Sequence, residues 1–161
     1  MENENRIRKE KNKNEVIKAF DRVKDHFLIG IVDEDRKDLL KNPNLKGFEK
    51  IKEGNSFKIY KDKEKSHFIF ALCPKAFEDW IFQFLKHQKT ELSEFGYSDF
   101  ESFKKETKSE QIDKDEKFRK LVKYIVNNYE SSDNHINSFK KHLDYLLLEN
   151  YKFDIVIFNK I

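Results

Sequence analysis

"FKIYKDKEKSHFIFALC", residues 57–73, is the stretch on which the fold turns. Its first four residues alternate apolar with polar and read as a half-buried strand. Lys61 to Ser66 is a polar turn. "HFIFALC", 67–73, then runs almost without interruption in apolar residues, as a strand buried on both faces does. Pro74 ends it, at a position where a first-turn proline is tolerated. Residues 75–88 place Phe77, Trp80, Ile81, Phe84 and Leu85 on one face, which predicts a helix packed against that strand.

Upstream, Val16, Ile17, Phe20 and Val23 are spaced i, i+1, i+4, i+7, one face of a helix over 14–25. "FLIGIVD", 27–33, is a further buried strand. Asn42-Pro43-Asn44 marks a turn, and "LKGFEKI", 45–51, reads as a short helix. Downstream, Ser98 and Glu101 form a capping-box pattern. Residues 115–128 and 133–150 are amphipathic helices carrying Phe118, Leu121, Tyr124, Ile125 and Phe139, Leu143, Leu146, Leu147. The tail "YKFDIVIFNKI", 151–161, favours a strand by composition. Helix alternating with buried strand predicts an α/β fold with a mostly parallel sheet of about four strands. The expectation is a single domain over 1–161, disordered at 1–12, with a helical C-terminal extension over 97–150.

The 161 residues suffice for one core without staples. Charged residues make up 39%, so the helices are heavily solvated, yet 16 Phe argue against disorder. A net charge of +3 gives no overall field for nucleic acid. A single cysteine, Cys73, excludes an internal disulfide framework and fits a reducing compartment. The first fifteen residues are charged throughout, unlike a secretory leader. No apolar run approaches the roughly 20 residues of a membrane span. A cytoplasmic protein without a membrane role is expected.

Asp33, Glu34 and Asp35 follow the strand at 27–33. Ligands of open α/β sheets sit beyond the carboxyl ends of strands. Residues i and i+2 of an extended chain share a side, so Asp33 and Asp35 can converge while Glu34 faces away. Mg²⁺ (or Mn²⁺) removes the repulsion between two such carboxylates and takes oxygen ligands. The plain alternative is a loop whose acids solvate the chain or cap a helix. Arg36, Lys37, Lys41 and Lys46 lie near, either as phosphate-steering charges or as a solvated face. Glu78 and Asp79 open the next helix, where its dipole favours carboxylates. His26, His67, His87, His135 and His142 show no zinc-protease spacing, and no glycine-rich phosphate loop exists. Arg36-Lys37 after the second aspartate counts against a dehalogenase-type phosphatase. Strands ending at Cys73 and Asn159 count against a receiver domain.

"IGIVDED" followed by "FALCPKAFEDWIFQF" resembles TOPRIM-like proteins of bacteria and phages, relatives of the TOPRIM module in overcoming-lysogenization-defect-type nucleases. The resemblance covers roughly residues 13–90. It implies Mg²⁺-dependent, nuclease-like chemistry on the phosphodiester bonds of DNA or RNA, in phage defence or mobile-element biology. It also implies that Asp33 and Asp35 are metal ligands and catalytic residues, with Glu78 at the acidic position of the later helix. TOPRIM domains carry a further glutamate at the end of a strand upstream of the first helix. Here Glu2, Glu4 and Glu10 precede that helix with no strand pattern. A truncated or degenerate domain follows, or another group in the glutamate's place. The alternative function is a non-catalytic interaction module that needs a protein partner or forms a homodimer.

Overall fold

The computed structural model describes residues 10, 12–23, 26–34, 39–73, 76–131 and 134–161. Helix α1 (Lys13–Arg22) starts at Asn12, whose side chain accepts from the Glu15 N–H at 3.2 Å. Of the segment 1–12, for which disorder was expected, only Glu10 and Asn12 are among the described residues. Ile17 and Phe20 form the buried face of α1. Strands β1 (Leu28–Asp33), β2 (Phe48–Glu53), β3 (Phe57–Asp62) and β4 (His67–Leu72) build one sheet in the order β1-β4-β3-β2.

The sheet corrects the expected topology. β1 runs parallel to β4, with Leu28 opposite His67 and Asp33 opposite Leu72. The pairs β3–β4 and β2–β3 are antiparallel, so the sheet is mixed and mostly antiparallel. Connection length is the cause. Parallel neighbours need a crossover of a dozen or more residues. Only residues 54–56 separate β2 from β3, and only 63–66 separate β3 from β4, so each pair folds back as a hairpin. Asp62 fixes the second turn, accepting from the N–H groups of Glu64 and Lys65, both at 2.9 Å.

Two element expectations are also corrected. The helix expected over 45–51 is replaced largely by β2, an edge strand whose Glu49, Lys50 and Glu53 face solvent. Charges on an edge discourage further pairing, and they hide the strand's alternation from a hydrophobicity reading. The strand expected over 151–161 is a turn followed by helix α6 (Ile155–Phe158). Asp154 caps that helix, accepting from Val156 N–H at 2.7 Å and Ile157 N–H at 3.3 Å. A local cap outweighs the β preference of Ile and Val.

All six residues of β4 are buried, and their alternation serves two layers. Ile69 and Ala71 face α1 and the segment 39–45, packing with Ile17, Phe20, Leu39, Leu45 and Tyr60. Phe68 and Phe70 face the other way, with Phe57 and Ile59, toward Leu146 of α5 (His135–Glu149) and Phe158 of α6. A third cluster lies beyond β4. It joins α2 (Phe77–His87), α3 (Phe100–Glu106), α4 (Glu116–Asn128) and α5 through Trp80, Phe84, Phe103, Leu121 and Ile136. Gly30 in β1 permits the close approach of α1. A Cβ there would stand 2.9 Å from the Phe20 ring and from Val16. Among the described residues no helix is long and apolar enough to cross a membrane.

Candidate functional site

A cleft of about 870 Å³ opens at the carboxyl ends of the parallel pair. Its walls are the first turn of α1, the last residues of β1, the segment 39–43, Leu72 of β4 and Phe77 of α2. Charges of both signs line it: Glu10, Asp33, Lys13 and Lys41. The topology explains the location. α1 connects directly into β1 and lies antiparallel to it, which brings the amino end of α1 beside Asp33. That helix end carries partial positive charge and N–H groups suited to an anion.

Asp33 is the last residue of β1 and is half-buried on the cleft wall. Asp35 lies outside the described residues, as do Arg36, Lys37 and Pro74. Glu78 stands in the first turn of α2, and its carboxylate accepts from the Thr107 hydroxyl at 2.7 Å. Phe77, rather than Glu78, lines the cleft. Trp80 is core: its ring meets His135 at 5.0 Å and Phe139 at 5.2 Å. Among the described residues no three His, Cys, Asp or Glu side chains gather into a metal-ligand set.

Glu34, the middle acid, turns inward. Its N–H donates to Leu72 O at 3.0 Å. One carboxylate oxygen accepts from Lys58 Nζ of β3, the other from the Cys73 thiol at 2.8 Å. Lys58 Nζ also lies 3.6 Å from Glu53, and Lys50 pairs with Glu53 in turn. The hydrogen bond to Glu34 holds the Lys58 pKa above its usual value. Burial, then the Glu34 hydrogen bond and charge, pushes the Cys73 thiol up to about 12. Cys73 is thus a protonated donor at neutral pH, not a thiolate nucleophile.

Sequence reasoning missed Glu10 and Lys13 as cleft residues and Lys58 as the partner of Glu34. The signal for Lys58 lay in "FKIY". A lysine inside a strand with neighbours on both sides needs a compensating charge. Glu10 carried no such signal, because only the packing of α1 on β1 brings it to the cleft.

Comparison with protein-family models, with curated proteins and with solved structures finds no match for this chain. Its class rests on the architecture above: an α/β domain with a mixed four-stranded sheet and a charged cleft at the end of its parallel pair.

Proposed function

We propose that the cleft binds Mg²⁺ or Mn²⁺ together with a phosphate group of a DNA or RNA strand, and that the chain acts on phosphodiester bonds. The observation that carries this reading is the lining, which offers carboxylates (Glu10, Asp33) and ammonium groups (Lys13, Lys41) to one space. Mg²⁺ is commonly held by one or two carboxylates plus water and a substrate phosphate. Asp33 supplies one such ligand and Asp35, two residues on, a second. The lysines and the amino end of α1 hold the phosphate. A metal held there would supply a bound water of lowered pKa and charge to stabilise the leaving oxygen. Glu10 precedes the first helix and lines the same cleft as Asp33, so it is the candidate for the proton-transfer role that TOPRIM domains give to their upstream glutamate. The Asp-x-Asp motif supports the reading; the antiparallel hairpins depart from the parallel sheet that the resemblance implied. Glu78 is left out of this reading because it does not line the cleft, and its carboxylate accepts from Thr107.

A second reading, a non-catalytic module for a protein partner, is favoured by the outer edge of β1. Leu28 and Glu34 donate toward β4, so by alternation Ile29 and Ile31 direct their backbone groups away from it. Ile31 is 47% exposed on that edge, which suits an added strand.

Mn²⁺ titration by electron paramagnetic resonance, with cleavage of labelled single-stranded DNA and RNA, separates the two. Wild type is expected to bind Mn²⁺ and cleave. Asp33→Ala and Asp35→Ala are expected to lose both, and Glu10→Gln cleavage alone. Equal Mn²⁺ signals for wild type and Asp33→Ala would remove the metal site and leave the partner module.

A further inference from the structure

We propose that Glu34 is the positioning residue at the end of β1: its carboxylate ties that end to β3 and β4 and so sets where Asp33 stands on the cleft wall. This rests on the reading of that cleft as a metal–phosphate site. The tie has three strands. The Glu34 N–H holds Leu72 O at 3.0 Å, the Cys73 thiol donates to Oε2 at 2.8 Å, and Lys58 donates to Oε1. Cys73 is itself fixed, because its N–H donates to Ser56 O at 2.9 Å. The thiol therefore points at the carboxylate from an anchored backbone.

The register explains how Lys58 reaches. Lys58 stands across from Ala71 of β4, and Ala71 across from Val32 of β1. These residues form one row over three strands. The single methyl of Ala71 leaves room for the lysine stem to cross β4 toward the end of β1. The Glu34 side chain is only 14% exposed and that of Lys58 23%, so the pair is screened less than a surface salt bridge. Both oxygens of Glu34 are engaged, which makes it a poor metal ligand. Its charge is also matched by Lys58, so it adds little repulsion at Asp33. Supports of this kind orient metal ligands, and losing one typically costs ten- to a hundredfold in metal affinity.

Cys73 is the only cysteine, so its reactivity reports the tie directly. The test uses the full chain and the variants Glu34→Gln, Lys58→Met, Cys73→Ala and Cys73→Ser. Urea midpoints check folding. Mn²⁺ affinity, thiol labelling by iodoacetamide and the Asp33 amide position in a nitrogen–proton NMR spectrum are the readouts. Glu34→Gln is expected to label faster than wild type and Lys58→Met more slowly, since Glu34 raises the thiol pKa and Lys58 lowers it; both are expected to shift the Asp33 amide and to weaken Mn²⁺ binding about ten- to a hundredfold. Cys73→Ser keeps a donor and is expected to bind Mn²⁺ more tightly than Cys73→Ala. Unchanged Mn²⁺ affinity in both Glu34→Gln and Lys58→Met would overturn the proposal. If wild type binds no Mn²⁺, the metal reading fails and the Asp33 amide decides. A shifted amide in Glu34→Gln and Lys58→Met keeps the tie, and an unmoved one ends it.

Discussion

On the face of the sheet covered by α5 and α6, Phe57, Ile59, Phe68 and Phe70 lie beneath Leu146 and Phe158, and the Phe70 and Phe139 rings meet at 4.9 Å. At the carboxyl ends of β1 and β4, Glu34, Lys58 and Cys73 hold one another through polar contacts beside an open cleft. The first region is stabilised by area removed from water, a non-directional effect that accumulates over many contacts. The second is held by a few directed bonds whose main product is geometry. Charged pairs of that kind add little net stability once desolvation is counted. Truncating the aromatic face should therefore threaten the fold, and altering the polar end should threaten the site.

The largest effect is expected from Phe70→Ala. Phe70 is fully buried, and emptying such a site costs about 3–5 kcal/mol. A urea denaturation series measures it. A loss under about 1 kcal/mol would mean that the layer collapses around the gap, or contributes less than its burial implies. Gly30→Ala comes next and acts on the α1 layer. The new methyl would press on Phe20 and Val16 at 2.9 Å, and overpacking of this kind costs about 1–3 kcal/mol. Since α1 forms a cleft wall, the variant is also expected to change Mn²⁺ affinity.

The smallest effect is a pH dependence within the aromatic face. His142 is fully buried, with its ring against Phe158 at 4.9 Å and Phe57 at 5.7 Å. Nδ1 meets Ser138 O at 2.7 Å, and Nε2 has no hydrogen-bond partner among the described residues. Desolvation first, then the charges of Lys52 and Lys141, holds its pKa below 6.5. Burial lowers His67 and His135 as well. The unfolded chain therefore binds more protons than the folded one as pH falls through 6.5. Stability is complete above that value and declines below it, toward the folded pKa values. The urea midpoint should fall between pH 7.5 and 5.5, less steeply in His142→Leu. A flat profile in wild type would show that these histidines titrate alike in both states.

The strands at 28–33, 57–62 and 67–72 and the helices around Phe20, Phe84, Leu121 and Leu146 were legible because burial imposes periods of 2 and 3.6 on sequence. β2 was not, because its Phe48 is the one buried position and charges fill the rest apart from Ile51. The tail was misread because Ile155, Val156 and Ile157 carry β preference while Asp154 sets a helix start. The parallel sheet was a different error. The polar turn after "FKIY" is too short for a crossover, so β3 and β4 pair antiparallel despite the helix–strand alternation upstream, and the second hairpin was hidden because β2 reads as a helix.

For the site, sequence alone determined that a strand ends at Asp33 with Glu34 and Asp35 next in sequence, since apolar run and acid cluster are both local. Tertiary structure decided the rest. β1 pairs with β4 rather than with a strand near it in sequence, and α1 packs over Gly30. Those contacts bring Glu10 and Lys13 to the cleft beside Asp33, where the segment 39–43 adds Lys41, and with the β3–β4 pairing they bring Lys58 and Cys73 to Glu34. Side chains separated by 24 and 39 residues along the chain meet only after the sheet has formed. No local pattern encodes that pairing, because its free energy comes from the buried rows of β4 and not from the charged residues it brings together.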